Sequence, residues 1–582
     1  MRDFTNVTSP ERLHFGHSPG LDAWLLHFTT ENGLEYGVDP QKNASPEQLR
    51  FMVVLGEEEF YSPCSDRMLG LLLNNWLDPE LTSEYVSKWK TLVLLLRENV
   101  PDRETRRRIL GLCRHKYRMV KASPIIIPSR LMKRFVTMFL TLSGQVDPYR
   151  ERRQEANERA FRALKTERME RVLGECPETL PACESISSMR FELDMLELAR
   201  LMSLSTRQAI WRDGEAPSPD EVRREVTQER SCFKELRDLF GSDQNRELRI
   251  LFLPDTSGGL ILDLLVIRAL VRQGHKVIMA VKEGFHFLSP AFWDWDQDPV
   301  LAGQLRQARF LPEPRMSKNE LLAELRAHSF LVISDGTREE LNLYRTSVTF
   351  ARAWKECDLV MAKGDSHRRR LLDTHTSFTR DILCYRRDDD GVFRLDYRPK
   401  PEHVHKFSES SLAAMARSII SEMRGAKERG KTVMFYSAVI GSIPGQTKIA
   451  LEVLDTFVDY LRRRLDNVYI INPGEHFVEG MDADDLMYMW EMVQRSGLID
   501  VWRFQTVEDI EKSFELMGRK VPPFWTGKDA TYSTGCTKEM QIALDMQKRH
   551  PEMQIIGPSP DKFFRRREYG VGKFCDSAID CE

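Results

Sequence analysis

The sequence predicts an α/β protein with a helical N-terminal region, a central doubly wound, mostly parallel sheet, and an additional C-terminal α/β unit. Three observations predict it. Short apolar runs at Leu248–Leu253, Lys276–Val281, Phe330–Ser334 and Leu359–Ala362 have the length and the two-sided apolarity of buried parallel strands. A small-residue loop, Pro254–Gly259, and a helical stretch, Leu260–Arg272, join the first two into a strand–helix–strand unit. The same order returns at Thr432–Val439, Gln446–Leu465 and Asn467–Ile471, without a sequence repeat linking the two sets.

Length supports more than one core, because 582 residues exceed an ordinary single domain. Residues 1–146 read as mainly helical: Leu69–Trp76 and Val86–Leu96 carry apolar residues at helical spacing, and Ser123–Pro128 is a proline-bracketed joint. Residues 147–245 continue as helix. Asp147-Pro148 starts a charged stretch to Glu170, Met189–Leu204 has an amphipathic stripe, and Pro219–Phe240 leads to a polar joint at Gly241–Glu247. Residues 246–402 hold the first set of strands, closed by the charged block Tyr385–Lys400 with a turn at Asp388–Gly391. Residues 403–582 form the last unit, with further helices at Glu508–Met517 and Thr537–Arg549 and a strand at Met553–Ile556.

Composition excludes some classes of function. With 85 basic and 88 acidic side chains the net charge is −3, so no bulk attraction to nucleic acid or anionic lipid is expected. The chain shows no apolar run of membrane-spanning length and no export signal, and its ten cysteines are scattered without metal-ligand spacing; a cytoplasmic protein without membrane partners is expected.

The chemistry gathers at strand ends. Three predicted strands run into polar loops: Asp255-Thr256-Ser257-Gly258-Gly259, Asp335-Gly336-Thr337 and Lys363-Gly364-Asp365. The carboxyl edge of a parallel sheet is where such folds hold ligands. Each residue also has an ordinary reading: Asp255 as a helix cap, Lys363 as a turn lysine, Asp335-Gly336-Thr337 as a plain turn, and Asp263 as a partner of Arg268.

The order of pieces from Asp147 to Arg387 resembles the damage-control phosphatase superfamily, formerly the domain of unknown function family eighty-nine. That resemblance implies a metal-dependent phosphatase acting on a small phosphorylated metabolite, such as a sugar phosphate or a damaged nucleotide-like compound. Asp255, Lys363 and Asp365 would be catalytic, and Gly258, Asp335, Gly336, Thr337, Gly364 and His367 would contact substrate. Magnesium or manganese prefers hard oxygen ligands, which Asp255, Thr256, Asp294 and Asp296 would supply. The chain departs from the family pattern at four points. Thr256 replaces a ligating asparagine, Pro290 stands where a third ligand is expected, His367 replaces an asparagine, and Gly259 and Leu260 stand where the family often carries an acid. The alternative is therefore a catalytically inactive relative that binds a phosphorylated ligand or a protein partner.

The C-terminal unit offers a loop rich in glycine and hydroxyls, Gly527–Lys538. Lys528, Gly535, Thr537 and Lys538 at a helix start suggest a second anion site. The competing reading is a loop chosen for close packing.

Overall fold

A computed structural model describes residues 13–568 apart from 35–45, 57–58, 75–77, 176–182, 184, 229, 242–246, 444–445, 477 and 479. Most of the predicted joint at Gly241–Glu247 lies outside the described residues. The chain divides into two compact units, Met1–Glu402 and His403–Glu582.

The first unit is built on seven strands: β1 (Arg249–Leu253), β2 (Lys276–Val281), β3 (Arg309–Leu311), β4 (Phe330–Ser334), β5 (Leu359–Lys363), β6 (Asp381–Arg387) and β7 (Phe393–Arg398). Their order is β3-β4-β2-β1-β5-β6-β7; every neighbouring pair is parallel except β6 and β7. Strand alternation explains the two covered faces. Ile250 and Phe252 join the core formed with the helices Gly259–Arg272 and Ile186–Ser205. Leu251 and Leu253, also buried, point to the opposite face, where the Val348–Glu356 helix packs. From β1 the chain winds outward through β2, then returns to place β5 on the other side of β1. The reversal therefore falls between β1 and β5, the usual ligand crevice of a doubly wound sheet.

The strand bounds agree with the sequence within a residue or two, and three elements differ. The charged block at 385–400 turns where expected and is part of an antiparallel hairpin whose strands were not expected, with Arg387 opposite Phe393 across the Asp388–Val392 turn. Its alternation, with Phe393 and Leu395 buried and Arg394 exposed between them, is hidden by the arginines. The Glu151–Glu170 stretch divides into Arg150–Leu164 and Glu167–Leu173, because Thr166 caps a new helix by accepting from Met169 N. Edge strand β3 has only three residues, too few for a periodic signal.

The second unit contains β8 (Thr432–Ser437), β9 (Val468–Ile471), β10 (Val501–Phe504) and β11 (Gln554–Ile556), all parallel in the order β9-β8-β10-β11. Trp502, Phe435 and Trp490 pack at its centre.

Candidate active site

Residues that follow β1 and β5 meet at the reversal of the large sheet. Lys363, the last residue of β5, is 1% exposed. Its ammonium lies 2.7 and 2.9 Å from the two Asp263 oxygens, 3.1 Å from Asp255 Oδ1 and 3.2 Å from the Ser205 carbonyl. Trp211 roofs the cluster, with its ring 5.6 Å from Lys363 Nζ. Burial disfavours the lysine charge, but Asp255 and Asp263 overcome it and hold the group above its ordinary value. Burial pushes Asp263 up to about 6, against the pull of Lys363. With its pKa near 6 the Asp263 carboxyl is ionised at neutral pH, beside the Lys363 ammonium.

Two glycines make this approach possible. Gly258 has φ +82°, and a Cβ there would stand 2.6 Å from Trp211. Gly364 has φ +91°, and a Cβ there would stand 2.8 Å from Asp255 Oδ2. Only glycine combines that backbone with that contact.

Asp255 is not a helix cap, since the Gly259–Arg272 helix begins at Gly258 with no side-chain cap bond. Its Oδ1 accepts from Thr256 N at 2.7 Å and from the Thr256 hydroxyl at 3.2 Å. Asp263 pairs with Lys363 rather than with Arg268, which donates to Gln304. His367 is partly buried and donates from Nδ1 to the Lys363 carbonyl at 2.8 Å; desolvation lowers its pKa to about 4, so it is neutral. Asp365 is half exposed and lies 3.2 Å from Arg386.

Several expected roles need correction. The Thr256 hydroxyl donates to Asp255 Oδ1 at 3.2 Å, which fixes its rotamer and leaves its oxygen lone pairs unused. Asp294 does not replace the missing ligand, because both of its oxygens accept from buried Arg153, and Oδ2 also takes Ala291 N. Asp296 is exposed on a one-turn helix, Asp294–Gln297. Pro290 does lie beside the site: Ser257 N donates to the Leu288 carbonyl at 2.7 Å, tying this turn to the Asp255 loop. Its ring brings no oxygen donor. Of the four expected ligands, Asp255 keeps one oxygen without a hydrogen bond from the described residues; a magnesium or manganese ion held there would take its other ligands from water and substrate phosphate. Among the described residues no group of three or more His, Cys, Asp or Glu is placed to hold a metal.

The Asp335-Gly336-Thr337 loop lies at the same sheet edge but is closed on itself. Asp335 is 4% exposed and meets Lys282 at 2.6 Å, while the Thr337 hydroxyl takes Lys282 at 3.1 Å and Gly336 (φ +77°) makes the turn. The Asp335 and Thr337 side chains are thus engaged by Lys282 within the protein. Trp211, Ser205 and Lys282 were not foreseen as site residues. A lysine ending a strand was the available signal for Lys282; nothing local marks Trp211.

The residues expected to form a second anion site have other contacts. Lys528 lies over the Tyr532 ring, 3.3 Å from its centroid, and Lys538 is exposed. The buried Thr537 hydroxyl donates to the Ser533 carbonyl at 3.0 Å, and the Ser533 hydroxyl caps the helix at Cys536 N. Gly535 carries no left-handed φ, and a Cβ there would meet the Ser533 hydroxyl at an ordinary 3.4 Å. Buried Asp529, paired with Lys562, places negative charge in the loop instead.

No described helix is long and apolar enough to cross a membrane. No curated protein matches the sequence. A crystal structure of a DUF89 family protein from Pyrococcus horikoshii is similar at 19% identity and a TM-score of 0.35, covering 54% of this chain and 92% of that one. The family model of the damage-control phosphatase ARMT1-like domain matches residues 89–388, just over half of the chain. The match starts at Trp89, within the Pro79–Asn99 helix, so it takes in helices ahead of Asp147. The chain belongs to the damage-control phosphatase ARMT1-like family, and membership supports a phosphatase-like function on a metabolite.

Proposed function

We propose that this chain binds a small phosphorylated metabolite at the carboxyl edge of the large sheet and does not use a divalent metal to hydrolyse it. One observation carries the reading: the Lys363 ammonium is enclosed by Asp255, Asp263 and the Ser205 carbonyl. An ammonium has three protons, and each has an acceptor here. Phosphoryl transfer needs positive charge free to meet the phosphoryl oxygens. This cation is already neutralised, and the metal-ligand set has shrunk to one carboxylate.

Metal-dependent hydrolysis of a sugar phosphate or damaged nucleotide-like compound is the second reading. It is favoured by Asp255, whose side chain is 27% exposed and whose Oδ2 receives no hydrogen bond from the described residues.

Calorimetry separates the two. The full-length protein is expected to bind hexose phosphates equally in EDTA and in manganese, and to give no heat with manganese alone. Manganese-dependent phosphate release by the parent protein would overturn the proposal. Restoring donors with Thr256→Asn and Pro290→Asp is expected to create manganese binding. At a hundredfold excess over Kd that would add about 2.7 kcal/mol of stability. A variant whose thermal midpoint ignores manganese would show that the donor deficit is not the cause.

A further inference from the structure

A cavity of about 220 Å³ lies between the helices Pro79–Asn99 and Pro128–Ser143 and the loops that follow β2 and β4. Lys88, Thr91, Ser129 and Lys133 line it from the helices, and His286 and Arg338 from the sheet edge. Its two acids are already neutralised. Glu339 meets Arg130 at 2.5 Å, and Glu340 meets Arg370 at 2.5 Å. Lys88 stands 4.0 Å from Glu340, a loose contact. Lys133 and Arg338 have no carboxylate within ion-pair distance among the described residues. Lys133 is partly buried beside the guanidinium groups of Arg338, Arg130 and Arg345, so an anion there would offset their mutual repulsion. The lysine pKa agrees in direction: burial lowers it, Glu339 opposes, and Arg338, Arg130 and Arg345 lower it further.

We infer that this cavity is an anion site that takes the phosphate group of the ligand, with Lys133 and Arg338 as its principal contacts. The inference rests on the metabolite-binding reading above and specifies which residues grip the phosphate. The enclosed Lys363 cluster offers no free ammonium proton, whereas this cavity offers the Lys133 ammonium, the exposed Arg338 guanidinium and the Ser129 hydroxyl; the Thr91 hydroxyl already donates to the Ser87 carbonyl. It connects to the Asp255 site through the Asp365–Leu371 helix, where the Ser366 hydroxyl donates to Glu340 at 3.3 Å and Arg370 pairs with the same carboxylate. A volume of about 220 Å³ is below the roughly 300–1,000 Å³ usual for drug-sized ligands, so it suits a compact anion.

The test is calorimetric titration of the full-length protein with inorganic phosphate and with a hexose phosphate at low salt. Lys133→Met and Arg338→Met are each expected to weaken phosphate binding about tenfold or more, as loss of a charge-assisted hydrogen bond would. Lys90→Met, an exposed lysine on the same helix as Lys88, should leave it unchanged. Lys133→Met should also keep or raise the thermal midpoint, since it removes an unpaired cation; a purely structural lysine would lower it. No binding of phosphate by the parent protein, or equal binding by Lys133→Met, overturns the inference. A hexose phosphate bound equally by parent and variant would retain the metabolite reading while removing this cavity from it. Inorganic phosphate bound by the parent and lost in Lys133→Met, with no sugar phosphate bound, would retain the cavity and sink the metabolite reading.

Discussion

Lys363→Met is expected to lower the unfolding free energy by about 3–5 kcal/mol at pH 7.5, the cost typical of breaking a buried ion pair from one side. Asp263 is fully buried and would keep its carboxylate with no cation, while Asp255 stands close enough to repel it. The loss should depend on pH in a defined direction. In the parent fold the Asp263 carboxyl titrates near 6, against about 3.9 when free. Its folded pKa is raised, so its contribution favours folding below about pH 4 and is lost as pH rises through 6. Removing Lys363 raises that pKa further, so the variant's deficit should shrink as the pH is lowered from 7.5 to 5. Urea unfolding at the two pH values measures this. A second arm uses coupling: adding Asp263→Asn to Lys363→Met should recover most of the loss, because the stranded charge is gone. A variant as stable as the parent at pH 7.5 would refute the ion cluster described here.

Arg153→Met is expected to cost a similar amount, about 3–5 kcal/mol, at a place the sequence marks only as part of a charged helix. Its guanidinium is 1% exposed and donates to Asp147, to both oxygens of Asp294 and, at 3.1 Å, to the Phe287 carbonyl. Its removal leaves Asp294 among aromatic neighbours without its cation. It also releases a backbone under strain, because Phe287 sits at φ +49°, a conformation disfavoured for a residue with a bulky side chain. The loop that carries Pro290 is thus clamped from the helical layer. Thermal unfolding checks the cost. An unchanged midpoint would mean that the aromatic packing of Phe285, Phe287 and Tyr149 holds the loop by itself.

The sheet edge was legible because strand and loop signals are local. Leu359–Lys363 is five apolar or terminal residues followed by a glycine, and its position beside β1 follows from the winding rule for parallel strands. What Lys363 touches was not legible. Asp263 fitted either the family's first hallmark or a local pair with Arg268, and nothing in sequence separation alone pairs position 263 with 363. Trp211 and Ser205 come from the helical layer through tertiary packing. Asp294 and Asp296 looked equivalent on paper, yet a buried arginine 141 residues away engages the first, and solvent faces the second. The charged hairpin β6–β7 escaped for a different reason: its outward face is arginine-rich, and alternation is hard to see when half the pattern is polar on a single edge.

Both borders of the large sheet are unsuited to recruiting another strand. On one side β3 offers only three residues, too short to template pairing. On the other, β7 runs antiparallel and carries Arg394 and Arg398, whose guanidiniums reach Asp388 and the carbonyls of Leu371 and Thr374. A charged border strand with its arginines already tethered resists edge-to-edge association. The same hairpin that conceals itself in the sequence therefore protects the folded chain against fibrillar growth through this sheet.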